Sequence, residues 1–113
     1  MAEQESAVPF DRGHVVWHDD RFGTGGRPWL VLSDDSHPFY GEEYLVAGIT
    51  TTERSDSIAV PDTAWSVGSL PRASFVSPWF LTTLKHRGID RGVGSLTESV
   101  VETVVTECIS YLR

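Results

Sequence analysis

Two residues with phosphate-binding chemistry lie beside apolar segments of the sequence. Arg27 follows two glycines and precedes the apolar run 28–32, and Thr50 ends the apolar run 44–49. A guanidinium is a planar cationic fork that fits two phosphate oxygens, and a threonine hydroxyl can donate a hydrogen bond to the same group. Taken by themselves, the two positions are better explained as a surface arginine at a turn and a threonine at a strand end.

Proton transfer and metal binding have weaker candidates. His14 and His18 lie at the two ends of a short apolar run, and imidazoles titrate near neutral pH. Either is a candidate proton acceptor, although a histidine at a strand end more often has no catalytic role. Asp34, Asp35 and His37 lack the spacing of a metal site, so a hydrated acidic loop is the better interpretation. We predict neither a metal nor a cofactor.

Short apolar segments separated by glycine, proline and polar residues predict the elements that position these side chains. Proline fits the first position of a strand and otherwise ends one, so Pro78 is expected to terminate a strand. The glycine-rich segment 86–94 is predicted to be a loop. The predicted strands are 14–18, 28–33, 43–52, 57–60, 73–79 and 80–85. This pattern predicts a mainly β fold, a small SH3-like barrel, with a polar arm at 1–12 and a single domain at 13–113.

The end of the chain predicts one amphipathic helix. Ser95 and Glu98 have the spacing of a capping box, with Ser95 as the N-cap. Apolar residues then recur at helical spacing from Leu96 to Leu112 and include Cys108. Because its many valines are poor helix formers, tertiary packing must stabilise this helix, which is expected to cover an open side of the barrel.

Composition narrows the functional classes. The 113 residues include 16 acidic and 9 basic ones, for a net charge of -7, and the lone cysteine excludes an internal disulfide. No apolar run reaches the roughly 20 residues that span a bilayer, so we expect a cytoplasmic protein that does not enter membranes. The acidity argues against a general nucleic-acid binder, so an RNA function would rest on a few focused arginines. Lysine occurs once, which suits a halophilic host as well as an ordinary acidic bacterial protein.

Three segments in order resemble the PemK/MazF toxins of toxin–antitoxin systems. The opening strand Arg12-Gly13-His14-Val15-Val16-Trp17 matches the family's RGDV strand. Gly25 to Ser33 matches its glycine loop and RPxLVLS strand, and Val46 to Thr51 matches its apolar strand ending in threonine. The terminal amphipathic helix also fits. The resemblance extends from about Arg12 to Leu112, nearly the whole chain.

The resemblance implies a homodimeric, metal-independent endoribonuclease that cuts single-stranded RNA, does not itself bind DNA, and is blocked by a cognate antitoxin protein. In such a reaction the 2′-hydroxyl attacks its own phosphate, giving a 2′,3′-cyclic phosphate and a free 5′-hydroxyl. Arg27, Thr50 and Arg72 are then the expected catalytic residues, with Arg72 as phosphate binder or proton donor. The expected substrate-binding residues are Thr51, Ser74, Gly26 and Phe22.

Ser74 is a departure from the family pattern, because some relatives have a carboxylate there that accepts the 2′-hydroxyl proton. Serine has no suitable pKa to act as an unaided general base. Either another group, such as His14 or His18, takes the proton, or the barrel is catalytically weakened and serves as an RNA- or protein-binding module. A purely structural barrel is the third interpretation.

Overall fold

A computed structural model describes residues 8–19 and 25–113, which form seven strands and one helix. The strands are β1 (His14–Asp19), β2 (Gly26–Val31), β3 (Glu43–Thr50), β4 (Ile58–Val60), β5 (Trp65–Gly68), β6 (Ser74–Lys85) and β7 (Ile89–Leu96). Single 3₁₀ turns occupy Asp62–Ala64 and His86–Gly88, and α1 spans Glu98–Ser110. Within these residues, no helix is both long and apolar enough to cross a membrane.

The strands form one antiparallel sheet in the order β4-β6-β3-β2-β1-β7-β5. The outermost strands, β4 and β5, are joined by the short segment 61–64, so the sheet curls until its two edges are neighbours. Curling reduces the exposed strand edges that would otherwise invite pairing with other chains. The predicted mainly β barrel with a C-terminal helix is confirmed.

The sheet buries a separate apolar cluster on each face. The first contains Val15, Leu30, Ala47 and Ile49, and α1 covers it with side chains that include Val104. The second cluster lies on the opposite face and comprises Val16, Trp29, Val31, Tyr44, Val46 and Leu84, with Phe10 packed against it. Because neighbouring residues of a strand point to opposite faces, the continuous apolar runs of β1, β2 and β3 supply both clusters.

The prediction of a loop over 86–94 is wrong, because most of that segment is β7. Gly92 and Gly94 lie inside this strand, where neighbouring groups come close: a Cβ at Gly92 would lie 3.3 Å from the Phe10 ring, a tight contact. Gly94 faces Gly68 of β5, and a Cβ at either position would lie 2.2 Å from a backbone oxygen of the other strand. Gly94 and Gly68 mark close packing between β7 and β5, a strand that the sequence pattern also missed.

Pro78 does not end a strand, which is a second correction. β6 continues from Ser74 to Lys85 because the strand bulges: Gly48 pairs with Ser77, whereas the adjacent Ala47 pairs with Leu81. Residues 78–80 therefore lie outside the ladder, where the missing N–H of proline leaves no hydrogen bond unmade.

The predicted capping box is also wrong. Ser95 and Leu96 belong to β7, and Leu96 pairs with Trp65 and donates its N–H to the Gly13 carbonyl. The helix begins at Glu98 after Thr97, whose side chain makes no capping hydrogen bond, and it ends at Ser110. Sheet pairing thus outweighs the local capping signal, while the amphipathic pattern after it is confirmed: Val101, Val104 and Cys108 are buried.

Candidate functional site

A cavity of about 410 Å³ opens at one end of the barrel, where β1, β2 and β3 meet the segment before β6. Six of the seven predicted site residues line it: Gly26, Arg27, Thr50, Thr51, Arg72 and Ser74. The seventh, Phe22, lies outside the described residues. The structure therefore brings together residues that are up to 48 positions apart in sequence, while their chemical roles stay predictions.

Strand register places three polar side chains side by side. In the β1–β2 ladder His18 lies opposite Arg27. The β2–β3 ladder pairs Trp29 with Gly48, and the same register continued by two residues brings Arg27 level with Thr50. Side chains directly opposite each other in antiparallel strands share a face. An imidazole, a guanidinium and a hydroxyl thus follow one another across three neighbouring strands.

The Arg27 guanidinium is held by two aromatic rings. Its central carbon lies 5.7 Å from the ring centroid of Trp29 and 5.4 Å from that of Phe80, within the range of cation–π attraction. The two rings are themselves 5.2 Å apart. The bulge in β6 projects Phe80 over Gly48, where a Cβ would lie only 2.5 Å from the ring. Gly48 therefore gives the space in which Phe80 contacts Arg27.

The hydroxyl groups of the cavity differ in what they can still donate. The Ser74 Oγ donates its proton to the Arg72 carbonyl at 2.8 Å, and the side chain is buried. Thr50 instead accepts the N–H of Thr52 at 3.1 Å through its Oγ1, which leaves its own proton available. Thr50 can therefore donate to a ligand, whereas Ser74 stabilises the chain that carries Arg72.

The two histidines are fixed in different ways. The N–H of Asp11 donates to Nδ1 of His14 at 2.8 Å, and the His14 ring packs edge-on against Phe10. In His18, Nδ1 lies 2.7 Å from the Asp19 carbonyl. Because a carbonyl oxygen only accepts, this contact keeps the proton on Nδ1, and the neutral ring then has its lone pair on Nε2. His18 pairs with Arg27 in the β1–β2 ladder, while its Nε2 packs against Gly88.

The charge around the cavity contrasts with that of the whole chain. Among the described residues that line it, two are arginines and none is Asp or Glu, although the chain has a net charge of -7. Trp17 forms part of the wall, and the Arg91 guanidinium lies 4.9 Å above its ring. Sequence patterns did not indicate Arg91 or Phe80, which contact the lining residues Trp17 and Arg27. Arg91 lies in β7, which the pattern predicts as a loop, and Phe80 lies in the bulge of β6.

The fold has counterparts among solved structures. The MazE–MazF structure from Deinococcus radiodurans (form I) matches with a TM-score of 0.74 and 19% identity, over 93% of this chain and 97% of that chain. The Mycobacterium tuberculosis toxin MazF-mt6 matches with a TM-score of 0.64 and 25% identity, over 87% and 93% of the two chains. This chain has the MazF fold.

This chain also matches the structure of an endoribonuclease in complex with its cognate antitoxin from a mycobacterial species. The TM-score is 0.68 and the identity 20%, over 93% of this chain and 95% of that chain. No family model and no curated protein matches this chain. The likeness to MazF is therefore carried by three-dimensional structure, and the predicted resemblance to the PemK/MazF toxins is confirmed in the fold.

Proposed function

We propose that this protein is a toxin-type endoribonuclease that cleaves single-stranded RNA without a metal ion. The observation that carries the proposal is the cavity lined by Arg27, Thr50 and Arg72, free of carboxylates among its described residues, in an otherwise acidic chain. The two arginines attract a phosphate into the cavity, whereas the acidic remainder of the chain repels it. The toxin and endoribonuclease names of the structures that share its fold support the same activity.

The reaction forms a bond from the 2′-oxygen to phosphorus and breaks the bond from phosphorus to the 5′-oxygen. Negative charge accumulates on the non-bridging oxygens, where the Arg27 fork can bind two of them. The free proton of Thr50 can hydrogen-bond the same phosphate and fix its orientation. Arg72, from the opposite wall, is assigned as the second phosphate binder.

The 2′-hydroxyl proton needs an acceptor, and Ser74 does not qualify because its hydroxyl is committed to the Arg72 carbonyl. His18 is the histidine we assign, because it lies opposite Arg27 and the Asp19 contact keeps the ring proton on Nδ1. Its Nε2 packs against Gly88, outside the cavity lining, so the assignment requires the ring to turn toward the RNA. In this assignment the 2′-hydroxyl proton passes to His18 Nε2, the departing 5′-oxygen takes a proton from water, and the hydroxide that remains takes the proton back from His18. The products are a 2′,3′-cyclic phosphate and a 5′-hydroxyl.

The proposal extends to partners and place of action. We assign a cognate antitoxin as the partner, because structures with this fold include toxin–antitoxin complexes. A homodimer acting in the cytoplasm, with residues 13–113 as one domain, completes the assignment. Exposed apolar side chains near the end of α1, including Ile109 and Leu112, offer surface for such contacts.

Single-turnover cleavage of short RNAs in the presence of a chelator tests the proposal. Arg27→Ala should lower the rate roughly a hundredfold or more with little change in RNA affinity, since one charged donor to a transition state contributes about 3 kcal/mol. Arg27→Lys should recover little of that loss, and Thr50→Val should show a smaller loss of the same kind.

Arg113→Ala is the matched control, because this arginine lies outside the cavity lining, and circular dichroism verifies folding. A folded parent protein that binds RNA without cutting it would replace the enzyme by a binding module. A folded Arg27→Ala variant that cuts at the parent rate would remove Arg27 from the mechanism.

A further inference from the structure

A second cavity, of about 430 Å³, adjoins the first. Leu70, Pro71, Arg72 and Ser74 line both cavities, so the segment 70–74 is a ridge between them. Each cavity falls within the size range of small-molecule sites in proteins. Arg72 is exposed on this ridge and is the one cation that both cavities share among their described lining residues.

The second cavity has a chemistry of its own. Its far wall is formed by the half-buried aromatic residues Trp65 and Phe75. Asp62, exposed in the 3₁₀ turn between β4 and β5, is the one carboxylate among its described lining residues. Flat apolar walls with a single acceptor suit a planar ligand that carries hydrogen-bond donors.

We infer that the second cavity binds the base of a nucleotide that adjoins the scissile phosphate, which makes it a specificity subsite of the proposed endoribonuclease. The inference rests on the proposed function. In single-stranded RNA, bases alternate with phosphates along the chain, so a base site is expected to adjoin a phosphate site. Arg72, on the ridge, would bind the scissile phosphate together with Arg27 of the first cavity, and the base of the adjoining nucleotide would enter the second cavity.

Asp62 determines which bases fit. A carboxylate only accepts hydrogen bonds and repels phosphate, so the group beside it must be a base edge with donors. Adenine, cytosine and guanine have an exocyclic amino group on their pairing edge, whereas the one donor of uracil on that edge, N3–H, lies between two carbonyl oxygens that the carboxylate repels. Trp65 gives a ring on which any unpaired base can stack. The subsite therefore selects against uracil at one position next to the cut.

Cleavage of a random-sequence RNA pool, with the cut positions read by sequencing, tests this inference. The parent protein should deplete uracil about tenfold at one position flanking the cut, the scale of a single base-edge contact. Asp62→Asn should relax the preference at that position and leave the other positions unchanged. Asp56→Asn, an exposed aspartate outside both cavities, is the matched control and should keep the parent pattern.

Trp65 needs two variants because its ring also packs against the core. Trp65→Leu should lower the affinity for RNA on the order of tenfold, and Trp65→Phe should restore most of it, with thermal unfolding of each variant as the stability control. Affinity is measured on a 2′-O-methyl RNA pool, which binds but cannot be cut.

The two proposals fail in different ways. A parent protein that binds the 2′-O-methyl pool with Asp62-dependent discrimination against uracil, but cuts no RNA, would keep the subsite and overturn the nuclease. A parent protein that cuts RNA with the same base preferences as Asp62→Asn would keep the nuclease and overturn the subsite. RNA affinity unchanged in every Asp62 and Trp65 variant would also overturn it and leave the cavity to another ligand, such as an antitoxin segment.

Discussion

Substitution of Phe80 by leucine tests whether aromatic rings position the Arg27 guanidinium. Leucine keeps an apolar side chain on the bulge of β6 but removes the ring that lies 5.4 Å from the guanidinium carbon. Trp29, at 5.7 Å, remains as the second ring. Arg27 should stay near the cavity but sample more orientations, so a smaller fraction of the protein would present the fork to a phosphate.

The size of the effect follows from the exposure of the ring. Phe80 is 42% exposed, and exposed cation–π contacts contribute about 0.5–1 kcal/mol. Since about 1.4 kcal/mol corresponds to a tenfold change in rate, the loss should be roughly twofold to fivefold. This is much smaller than the roughly hundredfold loss expected for Arg27→Ala, because Phe80→Leu retains the charge.

Single-turnover cleavage at saturating RNA measures this loss, and the ring-current shift of the Arg27 side-chain protons in NMR spectra reports the contact without RNA. Phe39→Leu is the matched control, because Phe39 is 54% exposed and does not line the cavity. Phe80→Trp should recover both the rate and the shift. Equal rates for folded Phe80→Leu and Phe39→Leu, with the Arg27 shift unchanged, would refute the positioning role.

Three further changes probe other contacts. Gly48→Ala places a Cβ 2.5 Å from the Phe80 ring, so the ring should swing outward and cleavage should fall as in Phe80→Leu; a variant at the parent rate would contradict this. Burial raises the pKa of the Cys108 thiol. A chromogenic disulfide should therefore react with this thiol far more slowly in the native protein than in the urea-unfolded protein. Equal reaction rates in the two states would show that the thiol is accessible. Hydrogen bonds from Ser36 lower the pKa of the Asp34 carboxyl below its usual value of 3.8. The ionised carboxylate therefore stabilises the folded protein above about pH 4, and this stabilisation is lost as the pH falls through the lowered pKa. Asp34→Asn should therefore flatten the dependence of the urea midpoint on pH below about 4, and an unchanged slope would argue against it.

The positions of Arg27 and Thr50 beside apolar strands could be predicted from sequence, while their roles stay predictions. Arg27 lies at the start of β2 and Thr50 at the end of β3, and each adjoins a continuous apolar run that marks its strand in the sequence. The family resemblance added Arg72 and Ser74, which the structure places on the opposite wall of the same cavity. Local pattern alone favours a surface arginine and a strand-end threonine, so the order of the family motifs was needed to single these residues out.

What could not be predicted depends on partners that are distant in sequence. β7 has the glycines of a loop, and it becomes a strand because β1 and β5 pair with its two edges. The bulge that brings Phe80 to Arg27 exists because β3 pairs with both halves of β6. Ser95 was mistaken for a helix cap because its pairing with His14 and Val67 has no local signal.

The facing glycines Gly68 and Gly94 affect which parts of the protein can change when its RNA specificity changes. Neither position admits a side chain, so the point at which the chain leaves β5 is invariant in shape. At the other end, Ser74 holds the chain through its hydrogen bond to the Arg72 carbonyl. Five residues, 69–73, lie between these two points, and Arg72 among them is retained by its assigned role at the phosphate. Substitution of the other four would reshape both cavities, so selection for new RNA targets could act on them without disturbing the barrel or Arg72.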